Sequence, residues 1–249
     1  MYLKFGIVDF VVFSMAFFVV NGGKSLWEVP DTNNVTESDY LVDDMWIYLG
    51  NYPAPKSALI SASLWKDGRI PYKIDSKYFD FSKKLIKESM QDISSVSCIK
   101  FVEQTNERDF LYVKNLHNCA SHIGFTGGSQ TLALSVKLCM KKGLILHELM
   151  HALGFVHEHC RDDRDNYITI NERNVADDQL HNFVEYETGL LNDWSEKYDF
   201  NSIMHYDAYA FAKDKSIPVI ESLVEGGNLE IREVLSPADI RKLNKLYKC

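Results

Sequence analysis

One stretch limits the possible folds of this chain more than any other: His147-Glu148-Leu149-Met150-His151-Ala152-Leu153-Gly154-Phe155-Val156-His157. Positions i and i+4 of a helix share a face, so His147 and His151 can offer two imidazoles to one metal. Glu148 directly follows the first of them and sits on nearly the same face. A third histidine six residues beyond the second is out of reach of a continuing helix, so the chain has to turn. Gly154 stands where that turn is needed, because glycine accepts the left-handed backbone that ends helices. His157 then completes a three-histidine set. Three protein ligands leave a fourth position for water, the arrangement of catalytic rather than structural zinc.

Neutral imidazoles bind Zn²⁺, and the metal lowers the pKa of its water from about 15.7 to about 7. Glu148 is then the general base that takes a proton from that water and later delivers it to a leaving amine. The metal also polarises the scissile carbonyl. The chemistry predicted is amide hydrolysis without a serine or cysteine nucleophile.

H-E-x-x-H-x-x-G-x-x-H followed by a later methionine turn is the metzincin signature. Two further stretches narrow it: His157-Glu158-His159-Cys160-Arg161-Asp162-Asp163-Arg164-Asp165 and Ser202-Ile203-Met204-His205-Tyr206. With them the chain resembles the astacin family of secreted zinc endopeptidases, from about Ser57 to Cys249. The resemblance implies an α+β, metzincin-like fold of two lobes. A mixed sheet and the active-site helix would form the N-terminal lobe, and the C-terminal lobe would be mostly irregular or helical. It implies one Zn²⁺ per chain on His147, His151 and His157, protein or peptide substrates, and a monomer. Met204 becomes the hydrophobic floor beneath the metal, a role compatible with that of an ordinary core methionine. Tyr206 becomes a second catalytic residue, able to approach the metal at rest and to stabilise an oxyanion when substrate binds; a phenol oxygen suits both.

The resemblance also implies the disulfides Cys98–Cys249 and Cys119–Cys139, which leaves Cys160 over. The family usually carries a small polar residue at that position. Cys160 is then either a buried, inert thiol or a reactive or intermolecular cysteine beside the site. The strand Gln130-Thr131-Leu132-Ala133-Leu134 matches the upper edge of the family's cleft. An edge strand offers free backbone groups to an extended peptide, although a plain edge strand reads the same way. Arg161, Asp163, Arg164 and Asp165 read as ion pairs that fix the turn after the ligands. His117, His122, His159, His181 and His205 show no spacing that demands a second metal.

Latency is the second expectation. Leu41-Val42-Asp43-Asp44-Met45 resembles the family's F-x-G-D stretch, whose aspartate blocks zinc in the zymogen, and Asp44 matches that aspartate. Leu41 and Asp43 replace the phenylalanine and glycine, so Asp43, or no aspartate at all, stays as an alternative. Lys56 follows Pro53-Ala54-Pro55, a stiff and exposed linker suited to cleavage. By resemblance, Ser57 is the new N-terminus, and its amino group would pair with Glu158; otherwise Glu158 bonds backbone groups locally.

Composition limits the setting. A formal charge of −8 and a pI near 5.5 argue against nucleic acid as a partner, because phosphate binding needs a basic surface. Five cysteines fit an oxidising compartment. The apolar run Phe5 to Val20, behind Lys4 and before Gly22-Gly23, reads as a signal peptide over residues 1–23, although Asp9 interrupts it. A membrane anchor is the alternative, but the run is shorter than the roughly 20 residues a span needs. Residues 24–56 read as a propeptide with a glycosylation sequon at Asn34, and residues 57–249 as the peptidase domain.

Local patterns predict a strand at Arg69 to Ile74 and a helix over 80–94 with a buried stripe of Phe81, Leu85, Met90 and Ile93. Short strands follow at Cys98 to Val102, Phe110 to Val113 and Gln130 to Val136, then the zinc helix at about Lys142 to Leu153. Ser236-Pro237-Ala238-Asp239 carries the cap, N1 proline and N3 acid of a last helix, with Ile240, Leu243 and Leu246 on its buried face. The function predicted is a secreted zinc metalloendopeptidase made as a latent zymogen. The alternative is a noncatalytic secreted binding protein that keeps the scaffold.

Overall fold

The structure is a computed structural model that describes residues 39–42, 44–48, 64–185 and 196–249. The predicted signal segment 1–23, Asn34, Asp43, Lys56 and Ser57 lie outside the described residues.

A seven-stranded mixed sheet runs through the first half of the chain. Its strands are β1 (Asp39–Val42), β2 (Met45–Tyr48), β3 (Arg69–Ile74), β4 (Lys100–Glu103), β5 (Phe110–Lys114), β6 (Cys119–His122) and β7 (Ser129–Leu134), in the order β1-β2-β6-β7-β5-β3-β4. The pairs β1/β2 and β6/β7 are antiparallel, and the other neighbours run parallel. Parallel pairs are covered on both faces in most folds, and β7 obeys this: five of its six residues are buried.

That arrangement corrects the reading of Gln130, Thr131 and Leu132 as a cleft edge. β7 lies between β5 and β6 and uses its backbone on both sides. The alternation of Leu132 and Leu134 reports a strand but not its neighbours, which are set by segments elsewhere in sequence. Gln130 instead braces a turn, donating from Nε2 to Gly124 O at 2.7 Å and accepting from the Thr126 N–H at 3.0 Å. The strand beyond β7 is β6. Its outer side is taken by β2, in the register Met45↔Ser121 and Trp46↔His122.

Helix α1 (Asp80–Ser95) buries Ser82, Ile86, Ser89, Met90 and Ile93. Phe81 is 72% exposed, contrary to the predicted stripe. The apolar face turns on Ile86, which is fully buried, and Phe81, five residues earlier, falls roughly 140° around the helix from it. Helix α2 (Lys142–Ala152) is buried nearly all round, from Gly143 to Ala152. Its second residue has to be glycine, since a Cβ on Gly143 would stand 2.0 Å from the Arg232 carbonyl oxygen.

Helix α3 (Pro237–Tyr247) begins with the predicted capping box: Ser236 Oγ accepts from the Asp239 N–H at 2.9 Å and Asp239 Oδ2 accepts from the Ser236 N–H at 3.0 Å. Its buried residues are Ala238, Asp239, Lys242 and Leu243. Ile240 and Leu246 are only half-buried, so two charged residues take part of the face that a hydrophobic reading assigns to them.

The main core joins the sheet, α1 and α2 to Leu243 of α3 and includes Ile203 and Met204. A second cluster of Ile168, Val175, Phe183, Tyr198, Val219 and Ile220 forms the other lobe. That lobe contains a two-stranded ribbon, β8 (Ile168–Ile170) with β9 (Ile220–Ser222), which the sequence reading did not include. Both disulfides pair as expected, Cys98–Cys249 and Cys119–Cys139, and Cys160 is buried outside them.

Candidate active site

Helix α2 carries His147 and His151 on one face, and the turn after it brings His157 back to them. Gly154 makes that turn at φ +103°, and its N–H donates to His151 O at 2.8 Å. A Cβ there would meet only ordinary contacts, so the backbone angle, not crowding, demands glycine.

The three imidazoles converge. His147 Nε2 lies 3.0 Å from His151 Nε2 and 3.2 Å from His157 Nε2. On the far side of two rings, His147 Nδ1 donates to Ile203 O at 2.8 Å and His151 Nδ1 donates to Phe155 O at 2.7 Å. Those bonds fix the tautomer, so each of these two rings turns an Nε2 lone pair inward. Lone pairs facing each other at 3 Å repel unless a proton or cation sits between them. Nitrogens about 2.0–2.1 Å from one tetrahedral zinc stand roughly 3.3 Å apart, so the donor set fits that ion. Burial also keeps two of the ligands neutral: it pushes the His157 ring down to about 4 and lowers His151, although the Asp44 carboxylate works against it at both.

Asp44 faces the same point. Its Oδ2 is 3.1 Å from His147 Nε2, and its Oδ1 is 3.2 Å from His151 Nε2 and 3.1 Å from His157 Nε2. Burial raises the Asp44 carboxyl, but its interactions with the three imidazoles, His147 among them as a hydrogen-bond partner, outweigh it and hold the group well below the usual carboxylate range. The backbone that carries Asp44 is held by strand pairing, with the Ser121 N–H donating to Asp44 O at 2.8 Å.

The remaining predicted residues gather around this point. Glu148 is 1% exposed on α2, and Met204 is 2% exposed within the main core. The Tyr206 phenol oxygen is buried with no hydrogen-bond partner among the described residues. Its ring lies 4.8 Å from the His157 ring and stacks on His159 at 3.9 Å. Glu158 accepts from Lys242 Nζ at 2.7 Å, from Arg161 at 3.1 Å and from the Asp199 N–H at 3.0 Å. Arg161 also grips Asp163 with two bonds of 2.8 Å, so part of the charge run does fix the turn.

Two supporting residues escaped the sequence reading. Asp239 accepts from Ser202 Oγ at 2.6 Å and from the Ile203 N–H at 2.8 Å, which anchors the carbonyl that orients His147. Lys242 is the buried partner of Glu158. Both are charged residues inside an amphipathic helix, where a hydrophobic pattern assigns polar positions to solvent. The buried capping-box acid was the only local signal, and it marked a helix start rather than a site.

Known proteins resemble this chain. The profile of the Astacin peptidase family matches residues 59–248. Zinc metalloproteinase nas-14 of Caenorhabditis elegans is 37% identical over 189 residues, covering 75% of this chain and 37% of that protein. The low choriolytic enzyme of Oryzias latipes is 38% identical over 181 residues, covering 73% of this chain and 66% of that protein. The chain spans 37%, 50% and 34% of the lengths of the first three curated relatives. Among solved structures, high choriolytic enzyme 1, a hatching-enzyme zinc protease of the same fish, superposes with a TM-score of 0.69 at 38% identity, covering 75% of this chain and 93% of that one. Three convergent histidines on a helix and its return turn and a family match over most of the chain agree: this protein belongs to the astacin family of peptidases.

Proposed function

We propose that the chain is a secreted zinc metalloendopeptidase, made latent and released by cleavage. The observation that carries this reading is the inward convergence of three Nε2 atoms beside a buried glutamate on the same helix. Zinc, the metal of the family, supplies when bound a Lewis acid that polarises a carbonyl and acidifies water. His147, His151 and His157 would hold it. Glu148 takes and returns the proton, at a point shielded from bulk solvent. The Tyr206 phenol, having no partner among the described residues, donates to the oxygen on which negative charge develops. Met204, buried in the main core, would form the floor of the site, and Glu158 secures the return turn.

Latency follows from Asp44. Its two oxygens reach all three ligand nitrogens, so a carboxylate occupies the side from which water or substrate would come. The hairpin β1–β2 also covers β6, the strand that would otherwise pair with an extended peptide. Residues 24–56 would then be a propeptide, and a cut after Lys56 would free the cleft. For export, the oxidised cysteine pairs and the leader-like first 23 residues are the support. Among the described residues no helix is long and apolar enough to cross a membrane.

Caseinolysis after trypsin-like activation, with and without a zinc chelator, tests the enzyme reading. We expect hydrolysis that the chelator abolishes and added zinc restores. Hydrolysis no greater than that of an activated Glu148→Ala chain would leave only the binding-protein reading. Latency has its own test in the uncut Asp44→Ala chain. Losing charge-assisted bonds of about 1.5–3 kcal/mol should raise its activity towards a small peptide by about 10- to 150-fold over the uncut parent. A mutant as silent as its parent would remove Asp44 from the role.

A further inference from the structure

Glu158 follows the third histidine, and both of its oxygens are engaged in the uncut chain. Oε2 accepts from Lys242 Nζ, while Oε1 accepts from Arg161 and from the Asp199 N–H. Lys242 is 3% exposed and Glu158 6%. A buried pair of this kind cannot trade its partner for water, and without Lys242 the Oε2 oxygen of Glu158 loses its one donor among the described residues while Arg161 stays on Oε1. Lys242 also lies three residues after Asp239 on the same face of α3. Asp239 fixes Ser202 and Ile203, and Ile203 O receives His147 Nδ1. The Glu158 N–H, in turn, donates to Met204 O at 2.9 Å. One turn of α3 therefore holds the first histidine through an anion and the third through a cation.

We propose that Lys242 is a positioning residue that fixes Glu158, and through it His157, before any cut is made. The inference rests on the peptidase reading and deepens it. The family resemblance gave the role of Glu158's cationic partner to a freed Ser57 amino group. In this chain an incoming ammonium meets a carboxylate that already has three donors, one of them a buried lysine. The new N-terminus is therefore at most an additional contact, and the third ligand's geometry does not wait for it. Activation then consists of removing the hairpin, and the length of the remaining N-terminus matters little.

An engineered cleavage site in the full chain yields activated forms that begin at Ser57 or carry Gly-Ser ahead of it. Each is prepared with Lys242, Lys242→Arg and Lys242→Met, and kcat/KM and zinc affinity by chelator competition are measured for all. With Lys242 or arginine, the extension should change kcat/KM by less than about threefold, the scale of an exposed ion pair. Lys242→Met should lower zinc affinity and kcat/KM by about 10-fold, the low end of the range for losing a direct partner of a metal ligand, because Lys242 reaches His157 only through Glu158. The Lys242→Met form should also become sensitive to the extension, which a lysine that only packs would not produce.

A large loss on extension while Lys242 is intact would overturn the proposal, and so would unchanged zinc affinity in Lys242→Met. If that variant does not fold, the paired Glu158→Gln/Lys242→Met chain removes both charges together. Parental zinc affinity in the pair would equally overturn the proposal. Should no form hydrolyse peptide, the peptidase reading fails, while zinc affinity across the Lys242 series still decides this one.

Discussion

Activated protein carrying Glu148→Gln should lose about 10²–10⁴-fold in kcat/KM while binding zinc as the parent does. Glutamine keeps the shape of the side chain and removes only its capacity to take a proton. The residue is 1% exposed on α2, one position after His147, so a change of size there would disturb the ligand helix and confuse the result. The isosteric variant avoids this. Steady-state peptide hydrolysis and zinc competition on the same preparations separate the two effects. Equal kcat/KM in mutant and parent would mean that the carboxylate is not the base. Weakened zinc binding would mean that it supports the ligands instead.

Tyr206→Phe has the second-largest expected effect, and it should push activity and stability in opposite directions. Among the described residues the buried phenol oxygen has no partner, which costs a folded chain about 1–3 kcal/mol. Phenylalanine keeps the stack on His159 and deletes the oxygen. The backbone stays anchored, because His205 Nδ1 donates to Tyr206 O at 2.7 Å and His205 Nε2 accepts from the Tyr198 hydroxyl at 2.6 Å. The variant should therefore melt higher than the parent. Its kcat should fall by about 10²–10³-fold, the scale for removing one oxyanion donor, with KM little changed. A rise in KM alone would assign the phenol to ground-state binding. Parental kcat would make Tyr206 a structural residue.

The parts of this site that could be read from the sequence are those whose cause is local. The spacing of His147, His151, Gly154 and His157 encodes a helix, its end and a return within eleven residues. Ser236 and Asp239 encode the start of α3 in the same way, as a cap and an acid three residues apart. Pairing is different. Nothing within Ser129–Leu134 says that both of its sides are occupied, because the partners come from Phe110–Lys114 and Cys119–His122. Burial of charge is likewise non-local: Lys242 is inside only because Glu158, 84 residues earlier, meets it there. Phe81 shows the opposite error, a large apolar residue that one helical face leaves in solvent.

The β1–β2 hairpin also has a consequence in solution. While it is joined to the domain it is an intramolecular ligand, present at an effective concentration on the order of millimolar for a short tether. On the latency proposed above, its grip need only be modest at that concentration to keep the cleft shut, and the four residues of β2 can supply a modest grip. A cut changes no contact in this interface. It converts the hairpin into a free peptide, whose concentration then follows that of the protein. Freshly cut protein should accordingly be self-inhibited when concentrated and gain specific activity on dilution.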